Sequence, residues 1–181
     1  LWNAARYVFR SVEGAEAKRI EITSLPPEDR WILARLSGTI RRYHEFIQNY
    51  QFSVAVKELR DFFWDSFCDW YIEFVKPSMA TPGTRWTVEK TLETALRLLH
   101  PFMPFITEEI WQTLPHKGES IMVSTWPEPE KRWINPRVED EMNLVINQVQ
   151  AIRNVRSAWQ INPKDLLSVV VKVHRDKELR V

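Results

Sequence analysis

Three groups of residues have the types and spacing to do chemistry. Asn3, Arg6, Tyr7 and Arg10 fall three or four apart at the start of the chain, beside Phe9 and with no acid before Glu13. On a helix they share one side. An arginine–aromatic–asparagine face offers unstacked bases flat surfaces to stack on, and donors for base edges and phosphates. An ordinary solvated helix face reads equally well from these residues alone. Glu58, Asp61, Asp65, Asp69 and Glu73 form a second group, an acidic stripe at helical spacing. It could bind a metal or relay protons. Without His or Cys partners it is read instead as an ion-pairing face, for which Arg35, Arg41, Arg42, Lys57 and Arg60 are available. In the third group, residues 151–181 carry Lys or Arg at 153, 156, 164, 172, 175, 177 and 180 against acids at 165, 176 and 178, so that end is locally cationic.

Other chemistries lack their residues. Histidine stands at 44, 100, 116 and 174; no two are four apart and none stands three residues after a Glu. The helical metal motifs built on those spacings are therefore absent. The chain has 4 glycines and no glycine-rich phosphate loop or nucleophile elbow. Cys68 is alone, which excludes an internal disulfide and a Cys-cluster zinc site, and its neighbours Phe67 and Trp70 make it a small buried thiol rather than a nucleophile. No catalytic, cofactor-binding or metal-ligating residue is assigned. Lys plus Arg is 25 against 24 acids, so a nucleic-acid partner would need a local basic face. No run approaches the ~18 apolar residues of a membrane span. The chain opens at Leu1 within a helical pattern and carries no signal peptide. It is expected to be a piece of a longer protein from a reducing compartment.

Elements that position these groups follow from periodicity and punctuation. A helix over 1–11 has Ala4, Ala5 and Val8 among aromatics. Pro26-Pro27-Glu28-Asp29 opens a second, with Ile32, Leu36, Ile40, Tyr43 and Ile47 on its apolar face. Residues 53–75 repeat the pattern through Val56, Leu59, Phe63, Phe67, Trp70 and Phe74. A third long helix over 84–100 turns Val88, Leu92, Ala95, Leu96 and Leu99 inward. Pro101 and Pro104 break it and start a short one carrying Ile110 and Trp111. Asn135-Pro136 caps a last helix with Val138, Met142, Val145, Val149 and Ile152 on one face. Ser120–Trp126 and Leu166–Val173 are read as strands. The fold class is thus mainly α: an antiparallel helical bundle over 1–117, then a small strand–helix–strand unit over 118–181. Trp31, Trp64, Trp70 and Trp111 are assigned to the bundle core.

Several of these stretches also resemble a known family. Leu1-Trp2-Asn3-Ala4-Ala5-Arg6-Tyr7-Val8 looks like the helix leading out of the catalytic core of class I aminoacyl-tRNA synthetases, and Asp29-Arg30-Trp31-Ile32-Leu33 like their next helix start. Phe63-Trp64-Asp65-Ser66-Phe67-Cys68-Asp69-Trp70-Tyr71-Ile72-Glu73, together with Leu99-His100-Pro101-Phe102-Met103-Pro104-Phe105-Ile106-Thr107, resembles the valyl-tRNA synthetase family over essentially the whole chain. The isoleucyl and leucyl relatives share the bundle and the Pro-x-x-Pro break. The resemblance implies an anticodon-binding bundle in which Asn3, Arg6, Tyr7 and Ile72 line the anticodon pocket. Lys76 is placed for a phosphate, and Asp69, one turn from Ile72, could accept from a base amino group. The rest of the acidic stripe is expected to face basic neighbours or solvent, away from RNA. The implied partners are the anticodon stem-loop of tRNA(Val) and the catalytic core of the same parent chain, in a cytoplasmic monomer. The family's ATP signatures and editing domain are absent. ATP, with Mg, would therefore belong to the parent enzyme, and this segment alone is expected to be inactive in aminoacylation. The alternatives are the anticodon-binding domain of the related isoleucyl or leucyl enzyme, and a helical protein-interaction bundle without RNA binding, the latter discriminated by what happens at Arg6 and Tyr7.

Overall fold

A computed structural model describes residues 1–12, 21–162 and 164–170, with the side chains of 11 and 12 left aside. The first element, α1 (Trp2–Val12), buries Ala5 and Val8 completely and leaves Asn3, Arg6 and Arg10 exposed. The helix α2 (Pro27–Gln48) has proline at its first position and Glu28 and Asp29 in its first turn, where they meet the positive end of the helix dipole. It ends in a tight reversal: Gln51 N–H donates to Phe46 O at 2.8 Å, and Tyr50 takes the left-handed conformation (φ 56°) usually given to glycine. That reversal launches α3 (Phe52–Asp61), which runs without a break into a π-helical segment (Phe62–Tyr71) and then α4 (Ile72–Val75).

Cross-links fix the direction of packing. Asp29 bonds to Tyr71, Arg35 reaches Ser66, and Arg42 pairs with Glu58. Partner numbers fall as α2 numbers rise, so the two helical stretches are antiparallel. Asp29 also joins Thr84 near the start of α5 (Pro82–Leu99), which puts the starts of α2 and α5 at one end of the bundle. The predicted inward face of α5 is buried throughout: Val88, Leu92, Ala95, Leu96 and Leu99. Pro104 opens α6 (Pro104–Trp111), which packs on α5 and buries Ile110 and Trp111. The Asn135 side chain accepts from the Val138 N–H at 3.2 Å and caps α7 (Pro136–Ala158). The chain divides into two compact units, Leu1–Val145 and Ile146–Val181.

Two expectations are corrected. The strand–helix–strand unit does not form among the described residues. Ile121–Val123 is a single 3-10 turn, capped by the Ser120 hydroxyl accepting from the Met122 N–H at 3.1 Å, and Leu166–Val170 is irregular and exposed; 171–173 lie outside the described residues. A β-branched run needs a partner edge for its backbone groups, and two short strands alone are marginal. The second correction concerns tryptophan. Trp31 and Trp111 are in the core, but Trp64 is 39% exposed and Trp70 half-buried. The wider π turns, closed by the Ile72 N–H donating to Phe67 O, shift the inward stripe, so Tyr71 and Ile72 are buried instead.

Candidate nucleic-acid interface

Asn3, Arg6 and Arg10 project from α1 on its exposed side because Ala5 and Val8 anchor the other. Tyr7 is half-buried between these two faces. The Lys76 ammonium lies 5.9 Å from the centre of the Tyr7 ring, a cation–π contact joining α1 to the end of α4. Lys76 Nζ also donates to Glu73 Oε1 at 2.5 Å, and that bond, with Glu73 and Tyr7 nearby, holds its pKa above the ordinary lysine value. Asp69 is exposed on the π segment. Ile72, one turn before Lys76, is only 7% exposed, so it is a buried side chain rather than a protruding contact.

The acidic stripe is mostly engaged as an ion-pairing face. Glu58 accepts from Arg42 Nη2 at 2.6 Å and Nε at 2.9 Å, and from Thr39 at 3.3 Å. Asp61 accepts from Lys57 at 2.5 Å and pairs with Arg60 at 3.2 Å; the Lys57 bond foremost holds its carboxyl below the ordinary range. Arg41 pairs with Glu45 on its own helix instead, and Asp65 is exposed. Glu73 departs from the expectation that the stripe lies apart from the basic face, since it is bonded to Lys76 itself.

Cys68 and the described histidines are held in structural surroundings. Burial pushes the Cys68 thiol up to about 11, with the neighbouring Asp69 carboxylate adding to the effect. A thiol that resists ionisation is a poor nucleophile. The described histidines hold structure. His44 Nε2 accepts from Trp126 Nε1–H at 2.9 Å, while His100 Nδ1 meets Thr107 Oγ1 and His116 Nδ1 meets Leu114 O, each at 2.8 Å. His174 lies outside the described residues, as do the basic residues at 172, 175, 177 and 180. No three His, Cys, Asp or Glu side chains come together among the described residues.

One group escaped the sequence reading. Asp29 is fully buried and accepts from the Tyr71 hydroxyl at 2.6 Å and from the Thr84 hydroxyl at 2.8 Å. Desolvation raises its pKa to about 6, against the two hydrogen bonds, which favour the charged form. This carboxylate ties α2, the end of the π segment and α5 together through Tyr71 and Thr84. Its signal was present: Asp29 is in phase with Ile32, Leu33, Leu36 and Ile40 on the apolar face, where a charge needs buried donors.

Comparison with known proteins adds the family. Residues 29–171 match the anticodon-binding domain of tRNA ligase. The chain is 41% identical to the valine–tRNA ligase of Thermotoga maritima over 95% of its own length and 20% of the relative's. It is 41% identical to that of Carboxydothermus hydrogenoformans over 99% of this chain and 21% of the relative. The enzyme of the same name from Geobacillus kaustophilus is 37% identical, with 99% of this chain and 21% of the relative covered. The chain thus spans about a fifth of the length of the curated relatives it matches. The family match takes in Asp69, Ile72 and Lys76, while α1 lies in the part shared with the valine–tRNA ligases. With a matching domain over most of its length, this chain belongs to the anticodon-binding domain family of tRNA ligases.

Proposed function

We propose that this chain is the anticodon-binding module of a valine–tRNA ligase and grips the anticodon stem-loop of tRNA(Val). The observation that carries the reading is the cluster of Tyr7 and Lys76, flanked by the exposed Asn3, Arg6 and Arg10. Tyr7 would stack on an unstacked base. Arg6 and Arg10 would meet phosphates or base edges, Asn3 would read a base edge, and Lys76 would neutralise a phosphate. Ile72 would close the pocket floor, and Asp69 would accept from a base amino group. Residues 1–117 would carry this binding, with 118–181 as an extension. The remaining chain would join valine to tRNA using ATP and Mg, in the cytoplasm and as a monomer. This segment alone would not aminoacylate. No helix among the described residues is long and apolar enough to cross a membrane.

Binding of tRNA(Val), tRNA(Ile) and tRNA(Leu) anticodon stem-loops at two salt concentrations tests the reading. The valine stem-loop should bind best. Tyr7→Ala should weaken it by about fivefold to a hundredfold, as expected for a lost base stack of ~1–3 kcal/mol. Arg6→Ala should lower the salt slope by about one. Equal binding of unrelated stem-loops, unmoved by either change, would leave the protein-interaction bundle as the better account. A preference for another tRNA would redirect the reading to the isoleucyl or leucyl relatives. If Asp69→Asn leaves affinity unchanged, the base-amino role of Asp69 goes.

A further inference from the structure

We propose that a cleft at the shared end of α2 and α5 is a second nucleotide subsite, taking one unstacked nucleotide of the bound RNA. The cleft, of about 540 Å³, is lined by Glu21, Thr23, Arg30, Trp86, Arg132 and Asn135. That volume lies in the range of small-ligand sites. Arg30 Nε is buried and has no hydrogen-bond partner, and no ion pair engages its guanidinium among the described residues. A buried donor without an acceptor is a position that a bound acceptor would satisfy.

The lining is mixed in a way that selects a nucleotide over a bare anion. Arg30 and Arg132 offer guanidinium groups for a phosphate. Arg132 is paired with Glu130 at 3.1 Å, but both side chains are about half exposed, so a phosphate competes easily for it. Glu21 would repel inorganic phosphate, yet it can accept from a base amino group. The Trp86 indole, held near-perpendicular to Trp133 at 6.5 Å, adds an aromatic surface for a base. Arg30 follows Asp29, and Trp86 lies two residues beyond Thr84. The Asp29–Tyr71–Thr84 bonds therefore place this cleft at the end of the bundle where the π segment meets the starts of α2 and α5.

The RNA part of this inference rests on the proposed function; the nucleotide part does not. The whole 181-residue chain is titrated with AMP, adenosine and inorganic phosphate, following the Trp86 indole N–H signal, assigned with Trp86→Phe. AMP should move that signal saturably, with adenosine and phosphate at least tenfold weaker. Arg30→Gln should weaken AMP tenfold or more and the stem-loop about fivefold. Arg132→Gln, on an exposed side chain, tests the same charge without touching the core and should weaken both severalfold. If AMP leaves Trp86 unmoved, or binds both variants as it binds the parent sequence, the subsite is wrong. Stem-loop binding that needs Tyr7 but ignores Arg30 and Arg132 overturns the subsite and leaves the anticodon reading standing. AMP binding that needs Arg30, with stem-loop binding blind to Tyr7 and Arg6, keeps the nucleotide site and sinks the anticodon reading.

Discussion

Helices α5 and α7 show similar apolar periodicity but different burial. Along α5 the apolar stripe is fully covered, and so is a second stripe of Thr84, Thr87, Thr91 and Thr94. Along α7 only Val138 and Met142 are buried, while Leu144 is 47% and Val145 42% exposed. A repeating apolar face shows where a partner could pack, and the neighbouring elements decide whether one does. The central helix needs side chains that stay quiet on both flanks. Threonine can do so by returning its hydroxyl to its own backbone, as Thr87 does to Gly83 O at 3.0 Å.

The contrast can be broken by substitution. Leu92→Ala on the covered face of α5 should cost about 2–5 kcal/mol by urea denaturation. Val149→Ala on the half-buried face of α7 should cost well under 1 kcal/mol. Comparable losses would mean that α7 is packed as tightly as α5.

The next largest effect concerns the tether at the start of α5. Asp29 has a raised folded-state pKa, about 6 against 3.8, so its protonated form favours the fold. Its contribution is fully present below pH ~4 and is lost as pH rises through ~6. Stability should therefore fall by about 2–3 kcal/mol across that window from this group alone. Asp29→Asn, which keeps hydrogen bonding without the titration, should flatten that part of the profile in pH-dependent unfolding. An unchanged slope would mean that Asp29 titrates in the fold as it does in the open chain.

A smaller effect, and a gain rather than a loss, tests the second stripe. Thr91 Oγ1 is buried without a hydrogen-bond partner, so Thr91→Val should raise stability by roughly 1 kcal/mol. A loss instead would show that the hydroxyl is satisfied in solution.

Much of this architecture could be read from the chain because proline marks it. Pro27, Pro82, Pro104 and Pro136 each stand at the first position of a helix. The failures have physical causes. Leu166–Val170 has strand propensity but no strand beside it, and propensity without an edge does not make a sheet. Trp64 and Trp70 were misplaced because a 3.6-residue period cannot anticipate turns closed from residue i to i+5. At the candidate interface, the exposure of Asn3, Arg6 and Arg10 was legible from Ala5 and Val8. The meeting of Tyr7 with Lys76 was not, since it joins helices distant in sequence. Asp29 was visible in phase, but its partners Tyr71 and Thr84 appear only once three elements are assembled.

The π segment also makes residue count, not only residue identity, a determinant of what the molecule presents. Within Phe62–Tyr71 a side chain can be exchanged for another of similar shape while the winding persists. Removing one residue is different: a π turn holds more residues than the 3.6 of an α turn, so a deletion changes the winding itself and with it which side chains face inward. The inward stripe through Tyr71 and Ile72 would then have to be set by α-helical spacing. Across these ten positions the number of residues matters as much as their identity.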